Sequence, residues 1–176
     1  MKTKQLIYTA LIFIFSINLI SAQEKITIPE MTNTQKHKRV YFIANSVLMV
    51  GANYAKAQGK TVEDFARHYG ELSKYTWNIK DGYDGFVKGT LYNWESWRPS
   101  TSPAIQILKQ TDKSFQFKTP LVIKQMLGGK PYYDITFEEL IVMYKIIFEV
   151  IAEHLGVNYQ QKLIDDGNWL EITITK

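Results

Sequence analysis

The stretch Thr136 to Gly156 constrains the fold more than any other part of this chain. Thr136-Phe137-Glu138-Glu139 is a capping box: a Thr hydroxyl accepts from the free amides of the first turn, and an acid three residues on reaches back. It opens a helix predicted over 137–155, with Gly156 placed to end it. Leu140, Ile141, Tyr144, Ile147, Phe148, Ile151 and Leu155 form one apolar stripe, and Val142, Met143, Ile146 and Val150 widen it. So little polar surface remains that the helix must be covered on more than one side.

Its neighbours in sequence supply the cover. Val157 to Ile164 and Trp169 to Thr175 are β-rich runs joined by Asp165-Asp166-Gly167-Asn168, and an Asp-Gly between such runs marks a hairpin. Upstream, Ala104 to Gln110 and Ser114 to Thr119 alternate about Thr111-Asp112-Lys113, a second hairpin that Pro120 closes. Leu121 to Tyr133 reads either way, with Gly128-Gly129 and Pro131 marking a turn.

Before the hairpins the period is helical. Val40, Ile43, Ala44, Val47, Leu48, Gly51, Tyr54 and Ala55 recur at three-four spacing, which predicts a first helix from about Lys36 with that face inward. Thr61-Val62-Glu63-Asp64 opens a second helix that turns Phe65, Ala66, Tyr69, Leu72 and Thr76 to the core. Asp81 to Trp97 is a glycine-interrupted third segment in which Phe86, Leu91, Trp94 and Trp97 share a face, and Arg98 to Pro103 breaks it. The expected fold is therefore α+β: N-terminal helices, a β-hairpin, a long buried helix and a second β-hairpin. The hairpins form a four-stranded antiparallel sheet with the long helix across one face.

Residues 1–22 read as a secretory signal peptide. Lys2 and Lys4 precede the uncharged run Leu6 to Ile20, and Ser21-Ala22-Gln23 offers small residues for cleavage. The competing reading is a membrane anchor, but a run of about 15 residues falls short of the ~20 a spanning helix needs. Export, to the periplasm or beyond, is the expectation, with no stable membrane span once the signal is cut. Residues 23–35 then form a linker, and 36–176 a single domain.

Removing 22 of the 176 residues leaves 154, about the size of one domain. The leader takes two of the 21 lysines and arginines, so 19 cations face 17 acids in the remainder. No concentrated basic face is left for nucleic acid, which is not an expected partner. With no cysteine in the chain, disulfides, a lipid-modified N-terminal cysteine, thiol catalysis and thiolate metal sites are all excluded.

The order of elements, with Thr136 to Gly156 followed by VNYQQKLIDDGNWLEITITK and with EDFARHYGELSKYTW upstream, resembles a superfamily of small-ligand-binding domains. Its members are the 4-vinyl-reductase-type domains, the haem-nitric-oxide-binding domains and the L-2-amino-thiazoline-4-carboxylate hydrolase-like proteins. The resemblance implies a ligand pocket between helices and sheet. It departs from the first group in having no cysteine near the last hairpin. It departs from the haem binders because His154, at the end of the long helix, is not an evident axial ligand.

Two places compete as sites. Asp64, His68 and Glu71 fall along one stripe of the second helix, so Asp64 and His68 are candidates for an acid–base pair in a hydrolase. The plainer reading is an exposed face with intrahelical ion pairs. Tyr75, Trp77, Tyr83, Phe86, Tyr92, Trp94 and Trp97 fall within 23 residues and are followed by Arg98. Such rings stack on planar or sugar-like ligands, and Arg98 would meet a carboxylate; the plainer reading makes them core. Trp77, Tyr83, Tyr92, Trp94, Trp97 and Arg98 are thus the expected ligand-binding residues, with Gly82, Gly85 and Gly89 hinting at a flexible cover. Neither a metal nor a cofactor is expected. The functional expectation is an exported domain that binds a small, partly apolar molecule, the alternatives being the hydrolase or an envelope protein-interaction module.

Overall fold

Three capping boxes organise the helices. The computed structural model describes residues 31–99 and 101–176, so the leader and most of the linker lie outside the described residues. Thr32 caps α1 (Asn33–Ala57), Thr61 caps α2 (Val62–Ser73) and Thr136 caps α5 (Phe137–His154). In each, the Thr hydroxyl accepts from the third helical amide while that residue's side chain accepts from the Thr N–H, which satisfies two backbone donors at once. The cap at Thr32 starts α1 inside the expected linker. Between these elements lie α3 (Gly82–Trp97), β1 (Gln106–Gln110), β2 (Ser114–Pro120) and the short α4 (Val122–Leu127), which settles the ambiguous stretch; β3 (Asn158–Ile164) and β4 (Trp169–Thr175) follow α5.

The four strands form one antiparallel sheet in the order β1-β2-β4-β3. Alternation divides its faces. Phe115, Phe117 and Thr119 of β2 and Leu170, Ile172 and Ile174 of β4 point into the core. The outer face carries polar pairs: Lys162 Nζ lies 2.7 Å from Glu171, and Gln116 donates to the same carboxylate at 3.0 Å. The hairpins and the α+β arrangement agree with the sequence pattern, and Thr32–Lys176 packs as one unit.

Helix α5 is the centre of that unit. Ten of its residues are buried, Leu140 and Met143 completely. Each large apolar side chain so covered contributes about 1.5–3 kcal/mol before the entropy of ordering it is counted. One side of α5 meets the sheet: Phe148 stacks on Tyr159 of β3 with ring centroids 5.4 Å apart. The other meets α2 through a seam of small residues, Val62, Ala66 and Gly70. A Cβ on Gly70 would sit 3.0 Å from Val150 Cβ, so glycine lets the two backbones approach.

That seam corrects the expected face of α2: Tyr69 and Leu72 stay exposed, because the close approach selects the small residues instead. The correction to α1 is larger. Its buried residues are Tyr41, Asn45, Met49 and Ala52, whereas Val40, Ile43, Val47 and Tyr54 of the expected core face are half or more exposed. The physical reason is a polar contact. Tyr144 on α5 donates its hydroxyl proton to Asn45 Oδ1, and Asn45 Nδ2 donates to the Tyr41 carbonyl at 2.9 Å. Two buried polar heads satisfy each other only if α1 presents Asn45 to α5. Among the described residues, no helix is long and apolar enough to cross a membrane.

Candidate functional site

On the side of α5 away from the sheet the helices enclose an aromatic-walled cavity, separate from a groove between α3 and the β1–β2 hairpin. A cavity of about 340 Å³ lies within the helical layer, lined by Ala44, Asn45 and Leu48 of α1, by Tyr69 and Ser73 of α2, and by Trp77. Asn93 and Trp97 of α3 and Tyr144, Ile147, Phe148 and Ile151 of α5 complete it, so no strand contributes a wall. The volume is at the lower end of small-molecule sites.

Its walls are aromatic because α3 brings Trp94 and Trp97 against α5. Trp97 lies 5.2 Å from Tyr144 and 5.0 Å from Trp94, ring centroid to centroid, and Trp94 stacks on Phe148 at 6.3 Å. Trp77 enters from the loop before α3. Its ring rests against Gly89, where a Cβ would come within 2.3 Å of it. This glycine makes room for an indole inside a regular helix.

The polar groups concentrate at Asn45 and Tyr144. Burial pushes the Tyr144 phenol well above its ordinary value, and the adjacent Tyr41 adds to the shift. Tyr41 is likewise raised by burial, against the opposing effect of its bonds to Tyr144 and Asn45. Both phenols therefore stay neutral, and Tyr144 remains a donor. Ser73 and Asn93 add a hydroxyl and an amide to the lining, and no described residue bonds either side-chain head. None of the described lining residues carries a formal charge.

The six residues expected to bind a ligand are dispersed. Trp77 and Trp97 line the cavity. Trp94 stands behind Trp97, 2% exposed, and its indole N–H finds no acceptor among the described residues. Tyr83 lies instead in a wider, more polar groove between α3 and the β1–β2 hairpin, where Lys176 Nζ sits 5.1 Å from its ring. Tyr92 is on the outside of α3, 78% exposed. Arg98 ties down the end of its helix: Nε bonds Glu95 Oε2 at 2.9 Å and a terminal nitrogen bonds the Ser102 carbonyl at 3.0 Å. Its guanidinium holds Glu95 below the usual carboxylate range, and it does not line the cavity.

Asp64 and His68 are exposed on α2 and do not meet. The Asp64 carboxylate accepts the Thr61 N–H at 3.0 Å, and this bond lowers its pKa. Glu71 is paired with Lys74. Among the described residues, no group of three or more histidine, cysteine or acidic side chains is placed to hold a metal.

Asn45, Tyr69, Ser73, Asn93 and Tyr144 went unrecognised at the level of sequence. A signal existed for two of them: Asn45 and Tyr144 are polar-headed residues inside otherwise apolar helical stretches, where a hydrogen-bonding partner is required. An axial haem ligand of the kind the sequence resemblance implies would have to be His37, His68 or His154. None of the three lines the cavity, so the residues present do not fit a histidine-ligated haem there.

No protein-family model matches the chain, and no curated protein matches it. Among solved structures, it is similar to a mutant of the Fe(II) unliganded H-NOX protein from K. algicida, at 13% identity and a TM-score of 0.33. That match covers 69% of this chain and 66% of the other, a distant likeness from which no residue role is transferred.

Proposed function

We propose that the domain binds a small, uncharged, partly apolar molecule in the cavity between α1, α2, α3 and α5. The observation that carries this reading is the composition of the cavity: aromatic and aliphatic walls, hydrogen-bonding groups from Asn45, Tyr144, Ser73 and Asn93, and no charge among its described lining. Rings give contact area at little entropy cost, and a few fixed polar groups set orientation. A ligand carboxylate or ammonium would lose its hydration and find no countercharge. Binding is the role these side chains support: among the described residues the lining is rings, aliphatic groups and neutral hydrogen-bonding heads. We propose further that the protein acts outside the cytoplasm, on the strength of the leader sequence. Intact mass of the protein from its own envelope fraction should then correspond to a chain beginning at Gln23.

Calorimetric titration with 1-naphthol, a neutral ring with one hydroxyl, tests the site. Binding should weaken about tenfold or more for 1-naphthoate, which carries a charge, and for the Trp97→Ala variant. Equal affinity for both probes, or for wild type and Trp97→Ala, would overturn the reading.

A further inference from the structure

Helix α1 carries an apolar stripe that nothing in the described fold covers. Val40, Ile43, Val47, Val50 and Tyr54 are spaced alternately three and four residues apart, and each is 46–69% exposed. Over about 21 Å of helix they make one continuous ridge. A shallow groove beside it is lined by Ile43, Val47 and Val50 together with Phe42, Tyr132 and Tyr133, the last also exposed. Scattered exposed apolar residues need no explanation, but a contiguous ridge with an aromatic flank marks an interaction surface.

Charge identifies the occupant. Lys36 heads the ridge one turn before Val40, and Arg39 lines the groove itself. Between Asn33 and Ala57 there is no acidic residue. Cations in the first turns of a helix oppose its dipole, which favours negative charge there, so an external anion would offset them. A second copy of this chain would bring the same cations and no acid on α1. Glu139 of α5 is already held by Lys56 at 2.9 Å. An anionic bilayer surface supplies what is missing: headgroup phosphates for Lys36 and Arg39, and an acyl boundary for the valines, the isoleucine and the tyrosines.

We propose that α1 docks the domain on an anionic phospholipid surface, with Val40, Ile43, Val47, Val50 and Tyr54 seated at the acyl boundary and Lys36 and Arg39 at the headgroups. The helix lies along the interface and does not cross it. The role is independent of the cavity and of its ligand.

The absence of cysteine permits a local test in the full chain. An environment-sensitive fluorophore is attached to Val47→Cys on the ridge or to Gln160→Cys on the outer face of the sheet. Each is mixed with vesicles of equal phosphatidylglycerol and phosphatidylcholine, or of phosphatidylcholine alone. The Val47 probe should shift to the blue on the anionic vesicles while the Gln160 probe does not. Lys36→Gln with Arg39→Gln should weaken that response about thirtyfold. A retained leader would bring the chain to either vesicle and move both probes alike, so only the difference between probes counts. Equal responses from the two probes, or from the two vesicles, would overturn the proposal. So would a shift of the Val47 probe that follows protein concentration without vesicles, which would identify a second copy as the occupant.

Discussion

Helices α1 and α5 meet through Asn45 and Tyr144 and obey opposite rules. In α5 the apolar stripe faces inward and ten residues are buried. In α1 the stripe of highest apolar content faces water, and the buried edge contains Asn45 and Tyr41. Periodicity locates a stripe in both, yet it does not say which stripe is the core. The decision for α1 comes from its neighbour: Tyr144 needs an acceptor, and Asn45 provides it. An unsatisfied buried hydroxyl costs about 1–3 kcal/mol, comparable with burying a valine. One hydrogen bond thus weighs about as much as one apolar side chain in setting the buried face.

The contrast predicts unequal responses to similar truncations. Leu140→Ala in α5 should destabilise by about 2–5 kcal/mol, since a fully buried leucine leaves a cavity behind. Chemical denaturation measures this, and a loss under about 1 kcal/mol would mean that α5 is not the core it is taken for. Asn45→Ala should cost about 1–3 kcal/mol by stranding the Tyr144 hydroxyl. Tyr144→Phe in the same background should recover part of that loss, and a strictly additive double variant would break the argument that this pair orients α1.

The electrostatic tie between the two helices gives a smaller effect. Burial alone would raise the Glu139 pKa, but the Thr136 N–H and the Lys56 ammonium reverse this and hold it below the ordinary 4.5. A depressed folded-state pKa means that its stabilisation is present above about 4.5 and is lost as the pH falls through the lower folded value. Wild type should therefore lose more stability on acidification than Glu139→Gln, compared by thermal melting between about pH 6 and pH 3. Identical acid sensitivity would remove the tie from the account. The smallest change is expected on the ridge: Val47→Ser should alter stability by no more than about 0.5 kcal/mol. A larger loss would show that α1 buries this face after all.

Much of the fold was legible because its signals are local. Capping boxes at Thr61 and Thr136, the Asp-Gly turn and the switch from helical to alternating period each depend on a few neighbouring residues. The cavity was half legible. Trp77 and Trp97 belong to an aromatic cluster that composition exposes, but Tyr83, Tyr92 and Arg98 belong to the same cluster and face elsewhere. Their separation follows from the winding of α3, which sends successive aromatics to different sides of one helix. Asn45, Asn93 and Tyr144 come from three elements, and only packing brings them together. Gly89 is ambiguous for a similar reason: a glycine that admits an indole and one that frees a loop look alike until the partner, Trp77, is known.

The central claim, a neutral ligand held in the helical layer, is tested most directly by native mass spectrometry of the protein isolated from its own cells. An organic adduct should accompany wild type and be lost from Trp97→Ala, with circular dichroism showing that the variant remains folded. An adduct retained equally by both proteins, or none on wild type, would contradict it.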